Sequence, residues 1–253
     1  MIAPLKTPEE LFRHFQTVES LKQLTVRHYL TRQMRKEEFK YLFLLLDAFW
    51  MYPGEPRPEQ PHALLKSGEH SNGFIDCLRV LKYTNLCQIF GELMARELRS
   101  FGIKYIDWCV GPAYAAIDFT HEVACCFNAI SAIVEKDEDG NPKIWSRHII
   151  PDSASVLITN ELMTTSSGST YETKTAVSQQ NKVQPVNFHP VAAVLVNRSF
   201  NEVSLADGTP VLSLFRFEME KFEPGQKTCR YCAAGSQALK PKLQNNWERY
   251  FKN

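Results

Sequence analysis

Residues 155–170, SVLITNELMTTSSGST, decide how the chain is read. A hydrophobic strand, SVLIT, ends in the polar pair Asn160-Glu161. Leu162 and Met163 follow. Six small residues (Thr164, Thr165, Ser166, Ser167, Gly168 and Ser169) then lead into a polar helix. Small hydroxyl side chains and one glycine let backbone N–H groups turn inward. A helix N-terminus adds favourable partial charge for an anion. Such a turn suits a terminal phosphate, with Glu161 just upstream to accept hydrogen bonds from sugar hydroxyls. Read alone, the pattern is equally a polar strand-to-helix turn capped by Ser or Thr.

Outward from this turn, strand and helix signals alternate. Leu86, Phe90, Leu93, Met94 and Leu98 form a helical stripe. Residues 105–110 (YIDWCV) read as a short buried strand stopping at Gly111-Pro112, 113–127 as a helix and 129–134 as another strand. The charged segment 135–147 reads as a loop. Residues 191–196 (VAAVLV) are nearly all apolar, as a strand covered on both faces requires, and 211–217 is the last candidate. This order predicts an α/β fold with a mostly parallel, doubly wound sheet. Ahead of it lies a helical N-terminal extension, with apolar stripes at Leu11, Phe12, Phe15 and Val18 and at Phe39, Leu42, Phe43, Leu46, Phe49 and Trp50. A proline-rich stretch, 53–61, follows. The expected division is 1–61 for extension and linker, 62–220 for the α/β domain and 221–253 for a C-terminal tail.

The chain has 253 residues, 44% of them hydrophobic, which excludes wholesale disorder. Its 29 basic and 28 acidic residues balance to +1, giving no support for non-specific nucleic-acid binding. No leader is visible, and the most apolar segment, 41–52, is too short to cross a bilayer. Seven scattered cysteines fit a reduced, cytoplasmic setting.

A second motif narrows the reading. Residues 64–76, LLKSGEHSNGFID, place a lysine-serine-glycine group before a serine, an aromatic and an aspartate. Between the two motifs, residues 110–114 (VGPAY) close a strand and open a helix. Together with the Thr-rich turn these stretches resemble the type I phosphoribosyltransferases, and the hood motif is similar to that of orotate phosphoribosyltransferases. The resemblance runs from about residue 64 to 217.

The resemblance implies a sheet of that family's type and transfer of phosphoribose from phosphoribosyl pyrophosphate to a planar base. It implies Thr164, Thr165, Ser166, Ser167, Gly168 and Ser169 around the 5′-phosphate, and Glu161, with Asn160, at the ribose hydroxyls. Gly111 and Lys66 would meet the pyrophosphate, and Ser67, Gly68, Ser71 and Phe74 would belong to the hood that holds the base. Lys136 matches the family's central lysine at a strand end, and Arg147 lies in the loop expected to close over the pyrophosphate. Magnesium is expected to arrive with the substrate and not on protein ligands, and a homodimer is implied. The chain departs from the family pattern at Asn160, where an acid is usual, at Ser166, where glycine is, and at Glu135, where arginine is. These departures favour an alternative: a non-catalytic phosphoribosyl-pyrophosphate or nucleotide binding protein on the same fold.

Cys229 and Cys232 form a Cys-x-x-Cys, which is half of a zinc site or a redox pair. With no second such pair nearby they read as two free thiols, and zinc would need distant ligands such as His189. Cys125-Cys126 reads as helix core. The ending, with Trp247 and Phe251, reads as a docking tail or short terminal helix.

Overall fold

In a computed structural model, residues 4–144, 148–165, 167–180, 185–199 and 201–251 are described. The central sheet runs in the order Val211–Arg216, Ala192–Asn197, Ser155–Met163, Trp108–Pro112, Ile130–Lys136, Pro142–Ile144. All neighbours are parallel except the last pair. The short Asn187–Phe188 strand adds to the start of Ser155–Met163.

Side-chain alternation explains why this sheet needs cover on both faces. Cys109, Leu157, Ala193 and Leu195 point into one core, against the helix Thr84–Ser100 and its long apolar face. Trp108, Val110, Val156 and Ile158 point into another, with Ala176 and Val177 of the helix Ser169–Gln180. The strands therefore carry near-continuous apolar runs, as the sequence predicts. The helix Ile117–Phe127 packs Phe119, Thr120, Val123 and Ala124 inward. Its Cys125 is exposed and Cys126 half-buried, so this cysteine pair is not core: the two lie off the face that carries Val123 and Ala124.

The N-terminal region is part of the same core. Phe39 stacks on Phe43 at 3.9 Å and on Phe215 of the edge strand at 4.0 Å. The helix carrying it, Lys36–Leu45, stops earlier than the apolar stripe predicts. Asp47 takes a left-handed backbone (φ 51°), which Asp tolerates better than most residues. Phe49 and Trp50 then continue as a strand, Phe49–Met51, paired antiparallel with Gly73–Ile75. A buried ion pair holds this region together: Arg32 donates to both oxygens of Glu38 at 2.6 Å, and Glu38 also accepts from the Arg35 backbone N–H.

The segment 135–147, expected as a loop, contains the strand Pro142–Ile144. It folds back on Ile130–Lys136 as an antiparallel hairpin. A separate four-stranded sheet forms the hood, in the order Lys221–Phe222, His70–Ser71, His62–Leu64, Ala238–Leu239. Its outer strands come from the far end of the chain, so the three sequence regions interlock. The last helix, Gln244–Phe251, buries Trp247 and Tyr250 against Phe74 and Trp50. Among the described residues no helix is long and apolar enough to cross a membrane.

Candidate active site

The strand order reverses between Trp108–Pro112 and Ser155–Met163. From the first the chain winds outward to one edge, then returns to the second and winds to the other. Loops leaving the carboxyl ends of two such strands diverge and open a crevice, where ligands of α/β sheets bind. Gly111 and the 164–169 turn leave these two strand ends. A cavity of about 510 Å³ lies at the carboxyl ends of Ser155–Met163 and Ala192–Asn197, and no residue of Trp108–Pro112 borders it. Thr164 and Thr165 border it from the turn, Lys66, Ser67 and Phe74 from the hood, and Arg198 from the end of Ala192–Asn197.

The turn is braced from beneath. Asn160 is 1% exposed, and its amide donates to Ser169 Oγ (2.9 Å) and Thr170 Oγ1 (2.8 Å), while its oxygen accepts from the Glu161 N–H (2.8 Å). Strand end and helix start are thereby held together, and Asn160 faces inward, away from the crevice. Gly168 is seated against Thr165: a Cβ there would come within 3.0 Å of its hydroxyl. Ser167 and Ser169 are exposed, and Gly168 is half-buried. Ser166 lies outside the described residues.

Glu161 is half-buried, and burial pushes its carboxyl up to about 7, with the Asp76 charge adding to the shift and Lys242 opposing it. The Cys77 thiol reaches the Glu161 carbonyl at 3.5 Å, joining the base of the hood to the strand end. Gly111 also meets a packing need at the end of its strand. A Cβ there would lie 2.1 Å from Thr120 Oγ1, so glycine admits the following helix. Thr120 then shares a 2.8 Å hydrogen bond with Thr159 under the strand end.

In the hood, Gly68 takes φ 91° in a turn closed by its N–H donating to Leu65 O, and Ser67 donates to Glu69 at 2.8 Å. Ser71 is fully buried and donates to the Glu220 carbonyl, so it braces the hood sheet and does not border the cavity. Phe74 borders the cavity from an aromatic group, edge-on to Trp247 at 4.8 Å and stacked on Trp50 at 5.6 Å. Lys136 is exposed at the end of its strand, apart from the cavity lining. Arg147 lies outside the described residues.

Several lining residues escape a reading of the sequence. Lys221, Lys240, Lys242 and Trp247 come from the C-terminal tail, and the arrangement that brings them here is the hood pairing of Lys221–Phe222 and Ala238–Leu239. Arg198 had a local signal: it follows an apolar strand at the sheet edge that carries Asn160, because Met163 is level with Asn197. It is 6% exposed and donates to the Gly73 carbonyl at 3.3 Å. Among the described residues no carboxylate forms an ion pair with it, although the Glu69 charge favours its cationic form. Burial pulls its guanidinium down to about 10, so it remains charged near neutrality. Lys66, Arg198, Lys221, Lys240 and Lys242 outnumber the acids of the lining, Glu69 and Asp76, with Lys221 ion-paired to Glu69 at 3.4 Å, a field suited to a polyanion.

Cys229 and Cys232 lie beneath the hood against His62 and His70. His189, the example of a distant ligand that a zinc site would need, is elsewhere, with its Nε2 at 2.7 Å from Ser155 Oγ. The missing partners sit on two hood strands, far away in sequence.

No family model matches the chain. The orotate phosphoribosyltransferase of Caldicellulosiruptor bescii is 33% identical over 181 residues, which is 71% of this chain and 87% of that protein. That of Caldicellulosiruptor saccharolyticus is 30% identical over 209 residues, 82% of this chain and 97% of that protein. Among solved structures, the Mycobacterium tuberculosis H37Rv orotate phosphoribosyltransferase in complex with Fe(III) dicitrate aligns with a TM-score of 0.49 and 16% identity, covering 69% of this chain and 94% of that one. With two relatives at this identity matched over most of both chains, the protein belongs to the orotate phosphoribosyltransferase family.

Proposed function

We propose that the protein transfers phosphoribose from phosphoribosyl pyrophosphate to a ring nitrogen of a planar, carboxylate-bearing base of the orotate type. The observation that carries this reading is the cavity at the carboxyl ends of Ser155–Met163 and Ala192–Asn197, with a hydroxyl-lined turn on one side and a buried Arg198 on another.

Thr164, Thr165, Ser167, Gly168 and Ser169 hold the 5′-phosphate, with Ser166 completing the run, and Glu161 accepts from the ribose hydroxyls. Gly111 presents backbone to the pyrophosphate. Lys66, joined by Lys221 and Lys242, compensates its charge. We assign Lys136 and Arg147 to the departing group. The base lies against the paired rings of Phe74 and Trp247, and its carboxylate meets Arg198 in the planar geometry that guanidinium favours. The base nitrogen forms a bond to C1 as the C1–O bond breaks and its electron pair leaves on pyrophosphate, while the proton on that nitrogen passes to a pyrophosphate oxygen or to water. Because C1 becomes cationic in passing, the protein's task is alignment and charge compensation, and no side-chain nucleophile is required.

Asp76 and Glu161 repel each other beside the crevice, which a divalent cation relieves. Asp76 and Glu161 are the residues beside which magnesium bound to the donor would sit, and it would supply charge neutralisation of the leaving group.

The test is pyrophosphate release with orotate, uracil, adenine and hypoxanthine as acceptors. Release with orotate, and its loss in Glu161→Ala, is the expected result. Release with none of the four would favour the binding-only alternative.

A further inference from the structure

We infer that His62, His70, Cys229 and Cys232 form a structural zinc site that locks the hood to the C-terminal segment. The four ligand atoms lie within 4.8 Å of one another. His62 Nε2 is 3.0 Å from His70 Nδ1, 3.6 Å from Cys232 Sγ and 3.7 Å from Cys229 Sγ, and Cys232 Sγ is 3.3 Å from His70 Nδ1. A tetrahedron with bonds of about 2.0–2.3 Å has edges of roughly 3.3–3.8 Å, so the four short separations need shifts of a few tenths of an ångström and the widest pair closes by at most about 1 Å.

The surroundings fix the ligand chemistry. His62 Nδ1 lies 2.8 Å from Ser236 Oγ, and Ser236 in turn donates to the Gln60 carbonyl at 2.6 Å. Since the hydroxyl proton is committed to Gln60, His62 Nδ1 carries the hydrogen. Its Nε2 is left as a lone pair aimed at the cluster. This is the outer support that ligating imidazoles ordinarily have. His62, His70 and Cys229 are buried, Cys232 is half-buried, and no carboxylate belongs to the cluster. Two nitrogens and two sulfurs in a closed set select zinc over magnesium or calcium. On binding, the two thiols release their protons. Two thiolates and two neutral imidazoles then balance the divalent charge.

None of the four ligands borders the crevice, which assigns the ion to architecture. Its position is nevertheless consequential. His62 and His70 flank the turn carrying Lys66, and the Cys-x-x-Cys precedes the Ala238–Leu239 strand and then Lys240 and Lys242. One ion thus joins two stretches of chain more than a hundred and fifty residues apart. Both supply cations to the same cavity.

The experiment uses the full chain without an affinity tag of histidines. Elemental analysis after dialysis is expected to find one zinc per chain. Replacement by cobalt(II) should give the intense visible bands of a tetrahedral site with a thiolate-to-cobalt charge-transfer band. Cys232→Ser should lose the metal or weaken that band, and His189→Ala should change neither. Stripping the zinc should lower the melting temperature. A wild-type chain that carries no zinc and gives only the pale spectrum of hydrated cobalt(II) would overturn the assignment, leaving a metal-free hydrogen-bonded pair of imidazoles. The cobalt spectrum of the wild type decides the matter even if the cysteine variant does not fold, and it is independent of which base is the acceptor.

Discussion

The side-chain amide of Asn160 donates to Thr170 Oγ1 at 2.8 Å, tying the end of the Ser155–Met163 strand to the first turn of the helix Ser169–Gln180. A buried donor whose partners are two hydroxyls is worth most through what its loss leaves unpaired. Asn160→Ala is therefore expected to destabilise the fold by about 1–3 kcal/mol and to weaken donor binding. Denaturant unfolding and calorimetry check both, and an unchanged midpoint with unchanged affinity would show that the turn does not need this brace.

Glu161 gives a pH dependence whose sign is fixed. Burial first, then the Asp76 charge, raise its carboxyl to about 7. The ionised form accepts most strongly from sugar hydroxyls. Donor affinity is therefore expected to fall as pH drops below about 7, and Glu161→Gln should flatten that limb. The free protein behaves oppositely. Between the ordinary carboxylate range and pH 7 the folded chain retains a proton that the unfolded chain has released, so this group's contribution to stability declines as pH rises through that window. Donor titrations and unfolding curves across pH 5 to 8 read the two effects separately.

Arg198 separates recognition of the base from recognition of the donor. Truncating one partner of a buried charge pair costs about 2–5 kcal/mol, so Arg198→Ala should raise KM for orotate by roughly 30-fold or more. Affinity for phosphoribosyl pyrophosphate should change little. Equal losses for both ligands would place Arg198 in the donor site or in the fold.

Glu38 tests whether the N-terminal region belongs to the same folding unit. Its carboxylate is fully buried against Arg32 and supports the start of the Lys36–Leu45 helix. Glu38→Ala leaves the Arg32 charge half-satisfied, and a loss of about 3–5 kcal/mol is expected in one cooperative transition. A separate early transition would mean that this region unfolds by itself.

The central sheet was legible because its strands are covered on both faces and so carry unbroken apolar runs, as in residues 191–196. The Thr-rich turn was legible because six small residues stand between a strand and a helix and the hood motif lies ahead of them in the same chain. What stayed hidden depended on distant pairing. The zinc ligands His62 and His70 are eight positions apart on different strands, and only the hood's long-range pairing sets them beside Cys229 and Cys232. Lys240, Lys242 and Trp247 reach the cavity for the same reason. The inward turn of Asn160 was unreadable because a strand-end amide has the same pattern whichever way it faces. Phe49 and Trp50 prolonged a helical stripe by coincidence of spacing, until Asp47 turned the chain.

Calorimetric titration with phosphoribosyl pyrophosphate and magnesium bears most directly on the crevice. Saturable binding at one site per chain is expected, strongly weakened in Glu161→Ala and in Thr165→Val, with each variant keeping its unfolding midpoint near the wild type. Absence of heat with the wild-type chain, or affinity indifferent to both substitutions, would contradict it.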